Sequence, residues 1–440
     1  MTTERADRTT PLDAAGEALL AGEYRNMLAC VRCGLCLTSC PTYVLTGHEA
    51  EGPRGRVAMM RALADGQIGL TPDLVTHELN CLVCDACTAV CPAGVSMDPL
   101  QVALRAAIEP RLRRPIWQRG LRWGVLRGLF ANMLLFRLVV ASLWLYQRAG
   151  LQWLARRSGV LRLLRLAETE ALLPPVPAPW RALVPRGQQL AAEAGRPERG
   201  RVALFAGCVM STVLADIDRA TARVCQRAGY AVCLTAGQGC CGALNAHSGD
   251  LEGMIRLAKR NIAAFERDGG APIVVNSAGC GAMLKDYAHH LRDDPAWAER
   301  ARAFAARVKD VTEVLTPDDL PLRRPVPGPV TYQEPCHLVH AQRISRQPRA
   351  LLRAIPGLEL REMAESSLCC GSAGIYNITN PRESRQLQQR KLDRAAATGA
   401  ATIVTANPGC YFQLQAGLAE RGSAARVRHI VELLDEATQP

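Results

Sequence analysis

Between Pro110 and Ala167 the 440-residue chain has no aspartate, no glutamate and no lysine, yet twelve arginines fall there. The formal net charge is +12, so everything outside this block is charge-balanced. A basic and strongly apolar block in an otherwise neutral chain marks a local surface for a membrane or a partner. Nucleic acid is not expected as a ligand, although Trp117, Trp123, Trp144 and Trp153 are interleaved with the arginines. Nor is a secretory leader expected. The start, MTTERADRTTPLDAAGEALLAGEY, offers no basic n-region, apolar stretch or cleavage site, so a cytoplasmic location with reduced thiols is expected. No strand is read as passing through G-x-G-x-x-G into a dinucleotide-binding helix, which argues against a nicotinamide or flavin site on this chain.

What the chain does have is eighteen cysteines. In a reducing compartment, regularly spaced cysteines are metal ligands more often than bridges. CVRCGLCLTSCP (30–41) and CLVCDACTAVCP (81–92) both read CxxCxxCxxxCP. A 4Fe-4S cube needs four thiolates. A CxxCxxC loop wraps three irons, while the fourth cysteine, followed by proline, turns away to the neighbouring cube, as in two-cluster ferredoxins. Cys30, Cys33, Cys36 and Cys91 are therefore assigned to one cube, and Cys81, Cys84, Cys87 and Cys40 to the other. A zinc scaffold would need a single tetrad of paired CxxC elements and would be colourless. EGPRGRVAMMRALADGQ between the runs reads as a helix, and His48 and His77 read as surface or capping residues. Two cubes carry single electrons but do not by themselves make a catalyst.

In the basic block, GLFANMLLFRLVVASLWLYQ (128–147) is long enough to span a bilayer. Its strongly apolar residues contribute about −4 kcal/mol against about +3 for Arg137, which leaves spanning marginal. On one continuous helix, Arg119, Arg122, Arg127, Arg137 and Arg148 share an arc of roughly 140°, opposite Gly120, Gly124 and Gly128. Such a helix suits a membrane surface, with arginines toward anionic headgroups, or a partner subunit. The proline-rich LLPPVPAPW (172–180) then reads as a linker.

From about residue 200, strand-like runs (RVALFAG, PIVVNSAG, PVTYQE, ATIVTANPG) alternate with helical patterns such as Ile255 to Arg267 and Pro381 to Thr398. This predicts βαβ units around parallel sheets. Cysteines repeat across the region. Cys208, Cys240, Cys241 and Cys280 are matched by Cys336, Cys369, Cys370 and Cys410, with intervals of 32 then 39 in one copy and 33 then 40 in the other. A duplication follows, each set placed after strands at the carboxyl ends of a parallel sheet. Two readings stand for these eight: an additional cluster, or redox-active thiols. Cys225 and Cys233 have no counterpart and read as packed small hydrophobes. The domains are thus 1–108, a helical two-cluster ferredoxin-like unit; 109–180, a basic helical segment and linker; and 200–320 and 321–440, duplicated α/β units.

The two ferredoxin runs followed by GCCG and CCGSAG, with NSAGCGAMLKDY and EPCHLVHAQ, resemble a family that includes heterodisulfide reductase and the iron-sulfur subunits of lactate utilisation and anaerobic glycerol-3-phosphate dehydrogenase. The wording is nearest to glycolate oxidase iron-sulfur subunits, from about residue 20 to the end. The resemblance implies two CCG domains, FAD on partner 2-hydroxy acid dehydrogenase subunits that oxidise glycolate, and electrons passed on to a quinone-type acceptor. It also implies a peripheral site on the cytoplasmic face of the inner membrane. The rival readings are a lactate or glycerol-3-phosphate dehydrogenase subunit and a heterodisulfide-reductase-like thiol reductase. CCG segments of the latter close with CxxC. Here Ser277 and Asn407 stand at the extra cysteine's place, so a cluster of that kind is in question.

Overall fold

Proline after each fourth cysteine sets the geometry of the amino-terminal unit. The residue before proline is driven to extended backbone, and Cys40 (ψ 119°) and Cys91 (ψ 114°) both adopt it. Each fourth cysteine therefore leaves its own loop. The computed structural model describes residues 11–163, 170 and 173–439; the extreme amino terminus, Arg165 of the basic block and Leu172 of the linker lie outside the described residues. Four helices frame the two loops: α1 Ala14–Gly22, α2 Pro53–Ala64, α3 Pro72–Leu79 and α4 Met97–Ile108. Asp13 caps α1 and Thr71 caps α3 through side-chain oxygens, and proline opens α2 and α3. Leu20, Met60, Leu100 and Leu104 from their apolar faces meet Met27 in a buried core. The helix expected between the cysteine runs is α2.

The basic block departs from one continuous helix. Helix α5 (Ile116–Trp123) runs into a π-helical turn at Gly124–Leu129, and α6 (Met133–Arg148) leaves at 111°. Asn132 causes the break: its side chain accepts from the Leu134 and Leu135 amides and starts a new helix. Arg137 and Arg148 consequently do not share an arc with Arg119, Arg122 and Arg127. No single helix among the described residues is long and apolar enough to cross a membrane, though the bent pair passes by length and composition. Arg122 and Arg127 face inward: Arg122 donates to Ser248 O at 2.9 Å, and Arg127 pairs with Asp250 at 2.6 Å.

The rest holds two sheets. In the first, β1 (Gln188–Leu190), β2 (Gly200–Leu204), β3 (Tyr230–Leu234), β4 (Ile273–Val275) and β5 (Val308–Asp310) take the order β1-β3-β2-β4-β5, with only β1 antiparallel. In the second, β6 (Gly328–Tyr332), β7 (Leu358–Arg361), β8 (Thr402–Thr405) and β9 (Arg426–His429) take the order β7-β6-β8-β9, all parallel. Without β1 the two orders are the same, so the cysteine repeat is also a repeat of topology. Helix α7 (Ala215–Arg227) of the first copy packs on α8 (Ile430–Ala437) of the second, fixed by Arg223 and Arg227 on Asp435 at 2.6 and 2.9 Å. Aliphatic residues of the central strands, Leu204, Val274, Val330 and Val404 among them, bury one core common to both sheets.

Candidate metal centres

The two head loops repeat in backbone as well as in letters. Arg32 and Val83, each two residues after the first cysteine, have φ of 57° and 50°; Gly34 and Asp85, each four after it, have 85° and 56°. Left-handed backbone is costly for a β-branched residue, so Val83 is a strained position that the surrounding loop must hold. These turns aim three thiols inward. Cys30, Cys33, Cys36 and Cys91 line one cavity, which Cys87 also borders, and Cys40, Cys81, Cys84 and Cys87 line another. Each quartet that the sequence paired thus lines one cavity, with Cys87 standing between the two. Among the described residues no three Cys, His, Asp or Glu side chains converge as a single metal ion requires; in the head the thiols instead ring cavities, which fits a multi-iron group. Backbone amides point at the sulfurs, Val83 N at Cys81 and Val95 N at Cys91, both at 3.4 Å.

The two quartets differ in exposure. Cys33 is exposed, with Val31 and Leu35 beside it, whereas Cys40, Cys81 and Cys84 are buried. Arg56, 1% exposed, lies against the inner quartet, where its guanidinium donates to Cys40 Sγ at 3.9 Å, Thr42 Oγ1 at 3.1 Å and Glu51 at 2.7 Å. Burial opposes its charge, but Cys81, Cys40, Glu78 and Glu51 hold it protonated. His77, read as a surface or capping residue, pairs with Glu51 at 2.7 Å and stacks on His48.

In the α/β units each cysteine set forms a chain of thiol contacts in the same order. Cys208 meets Cys240 (3.7 Å), Cys240 meets Cys241, and Cys241 meets Cys280. Cys336 meets Cys369, Cys369 meets Cys370, and Cys370 meets Cys410. Cys280 rides on α9 (Ala278–His290) after β4, and Cys410 on α10 (Pro408–Glu420) after β8. The glycine after each vicinal pair has a reason: Gly242 and Gly371 both have φ +86°, and a Cβ on Gly371 would sit 2.6 Å from the Ser384 carbonyl. Buried thiols in contact titrate apart. Contact with Cys208 and Cys241 drives Cys240 well below the ordinary thiol range, while Cys208 and Cys241 are driven well above it. Held as four thiolates, each set would require compensating positive charge, which metal ions would supply. Ser277 Oγ, in the first set's closing segment, is buried without a hydrogen-bond partner. The donor sets therefore fit an iron-sulfur group. Cys225 lies in the apolar core, its thiol pushed to about 12 by burial, and Cys233 touches Asp268 at 3.5 Å.

Of the residues that join these sites, His337 and Arg105 carried no readable signal, and Asn407 stood out only as the residue at the extra cysteine's place. His337 follows Cys336 and bonds the Val83 carbonyl of the inner head loop at 2.7 Å. Burial opposes its protonation, yet Cys336, that carbonyl, Asp85 and Asp98 raise it to about 9. Hydrogen bonding from Cys369, with help from His337, lowers Cys336 to about 7. Asn407 accepts from Gly279 N at 3.0 Å and donates to Cys410 Sγ at 3.6 Å. Half-buried Arg105 joins the head to the first unit, donating to Cys81 O at 2.6 Å and His247 O at 2.7 Å.

Residues 26–95 match the 4Fe-4S dicluster domain, 117–173 the linker region of the glycolate oxidase iron-sulfur subunit, and 202–285 and 330–415 the cysteine-rich CCG domain. The chain is 42% identical over 420 residues, 94% of its length and of the relative's, to a probable glycolate oxidase iron-sulfur subunit of Bacillus subtilis. The chain belongs to the glycolate oxidase iron-sulfur subunit family. The subunit of that name from Escherichia coli is 33% identical over 93% of this chain and 94% of its own. Lactate utilization protein A of Exiguobacterium sp. is 31% identical over 54% of this chain and 98% of its own. This family member is thus a dicluster ferredoxin-like unit followed by two CCG domains.

GQGCCG (237–242) does fit G-x-G-x-x-G and follows β3. The helix after it, Ala243–His247, is only five residues, and Gly239 N and Gly242 N are taken by Asn261 and Cys240. A dinucleotide pyrophosphate needs free amides at the start of a long helix; this turn is committed to its thiols.

Proposed function

We propose that this family member is the electron-transfer subunit of a flavin-dependent glycolate dehydrogenase complex. In this reading FAD resides on partner subunits, and electrons leave to a quinone-type acceptor. The observation that carries it is the pair of crossed thiol quartets, one exposed and one buried against the CCG thiols. Cys30, Cys33, Cys36 and Cys91 would hold the outer 4Fe-4S cube, and Cys81, Cys84, Cys87 and Cys40 the inner one. The two CCG sets would hold further iron. Such cubes take up and release one electron at a time. The chain holds and insulates them: Val83 N and Val95 N donate to sulfur, Arg56 offsets thiolate charge, and apolar residues exclude water from the inner site. Adding glycolate anaerobically to the complex should bleach its iron-sulfur absorption. The isolated chain should show no bleaching until flavoprotein partners are restored. Bleaching of the isolated chain by glycolate would overturn the reading.

Peripheral membrane attachment through the basic block belongs to the same proposal. Ile116, Trp117, Leu121, Trp123, Leu134 and Leu138 are exposed on its two helices. Burial and neighbouring Arg186 depress Arg137, which has no carboxylate partner among the described residues and whose Nε is unsatisfied. Arg119 and Arg148 are exposed on the same block. Anionic headgroups would supply the counter-charge. Binding of the complex to phosphatidylglycerol vesicles should weaken steeply with salt, and Arg119→Ala with Arg148→Ala should lower it about fivefold per arginine, from roughly 1 kcal/mol each. Flotation unchanged in high salt would count against this attachment.

A further inference from the structure

The two CCG thiol sets do not stand in equivalent positions. Cys84 of the inner quartet is buried with Leu82, Cys369 and Tyr376 in one cluster on which Cys336 packs. The bond from His337 to the Val83 carbonyl ties the same two sites together. The second set is therefore the neighbour of the inner quartet. From the second set, Asn407 reaches the first: its amide nitrogen donates to Cys410 Sγ at 3.6 Å, and its oxygen accepts at 3.0 Å from Gly279 N, beside Cys280. The backbone pair Ala278 N to Ala406 O (3.1 Å) clamps this crossing. The first set then continues into the basic block. Cys208, Cys240 and Cys241 share one apolar core with Met133, Phe136 and Val140 of α6, and Asn245, four residues past Cys241, donates to Leu126 O at 3.2 Å.

We propose that the centres act in series, inner cube to second CCG set to first CCG set, with Asn407 as the positioning residue between the two sets and the first set as the terminal centre beneath the basic block. This rests on the reading that both sets hold redox-active iron. In each pass an iron-sulfur group held by the second set would give up one electron and one held by the first would take it, with no bond made or broken. Two passes discharge a flavin hydroquinone on the partner to flavin and two protons, and convert one quinone with two protons to quinol at the far end. The bond from Arg105 to Cys81 O and His247 O is the rival connection, leading from the head directly to the first unit.

The experiment is freeze-quench electron paramagnetic resonance on the intact complex, mixed anaerobically with glycolate. Three variants are compared with the wild type: Cys370→Ser, Cys240→Ser and Asn407→Leu. With Cys370→Ser, the cubes should reduce at the normal rate while the first set's centre stays oxidised. With Cys240→Ser, the second set's centre should still be reduced, but transfer to a soluble quinone should stop. Asn407→Leu should keep the cube signals, which it does not touch, yet slow reduction of the first set's centre at least tenfold. Normal reduction of the first set in Cys370→Ser or Asn407→Leu would overturn the series and favour the Arg105 connection. A wild-type complex with only the two cube signals would overturn the underlying reading, and the series with it.

Discussion

Arg56→Ala is expected to lower stability by about 3–5 kcal/mol and to strip the inner cube. Breaking a buried pair leaves an uncompensated charge, which accounts for a cost of that size. Arg56 is almost fully buried and bonds Glu51, Thr42, Cys40 and the His77 carbonyl (2.9 Å) at once. Its removal leaves Glu51 and the inner thiolates without their nearest cation, and leaves Thr42 Oγ1 short of a donor. Glu78, fully buried and raised to about 8 by that burial, loses a favourable neighbour as well. Denaturant melts and iron analysis read both effects. Arg56→Lys keeps the charge but not the fork of donors, so it should recover part of the iron and less of the stability. A wild-type melt with full inner-cube signal in Arg56→Ala would show that the guanidinium is not needed there.

Cys91→Ala should remove the outer cube and spare the inner one, although Cys91 belongs to the same sequence run as Cys81, Cys84 and Cys87. The cause is Cys91's extended backbone before Pro92, which places its sulfur in the cavity of Cys30, Cys33 and Cys36. Because all four thiols serve one cube, the double variant Cys36→Ala with Cys91→Ala should be no worse than either single variant. Reduced spectra should keep one cube signal and lose the broadening caused by the second. If Cys91→Ala instead acts additively with Cys36→Ala, and is non-additive with Cys84→Ala, the crossed assignment fails.

Much of this was readable because it is local. The CP endings encode the crossing, the spacing of eight cysteines encodes the duplication, and β2, β4, β6 and β8 are central strands with apolar runs. Strands β7 (LELR) and β9 (RVRH) carry too many charges to stand out, being edge strands exposed on one side. The break at Asn132 had a signal, an asparagine just before an apolar helix, but a helical wheel assumes a straight axis and hides it. His337 and Arg105 could not be found in this way, and Asn407 was legible only as the residue at the extra cysteine's place, not for its contacts. His337 meets Val83 across 254 positions, Asn407 meets Gly279 across 128, and Arg105 meets His247 across 142. Those contacts exist only once the head and both CCG domains have docked.

The central claim is that the repeated CCG cysteines hold iron beyond the two cubes, so that the chain carries electrons from end to end. Its most direct test is the iron content of anaerobically purified or reconstituted chain, compared with the Cys240→Ala and Cys370→Ala double variant and with Cys225→Ala as control. Clearly more than eight irons per chain, given four for each cube, should fall to about eight in the double variant and stay unchanged in Cys225→Ala. Eight irons in the wild type, unaltered when Cys240 and Cys370 are both replaced, would contradict ligation and leave these thiols to redox chemistry or packing.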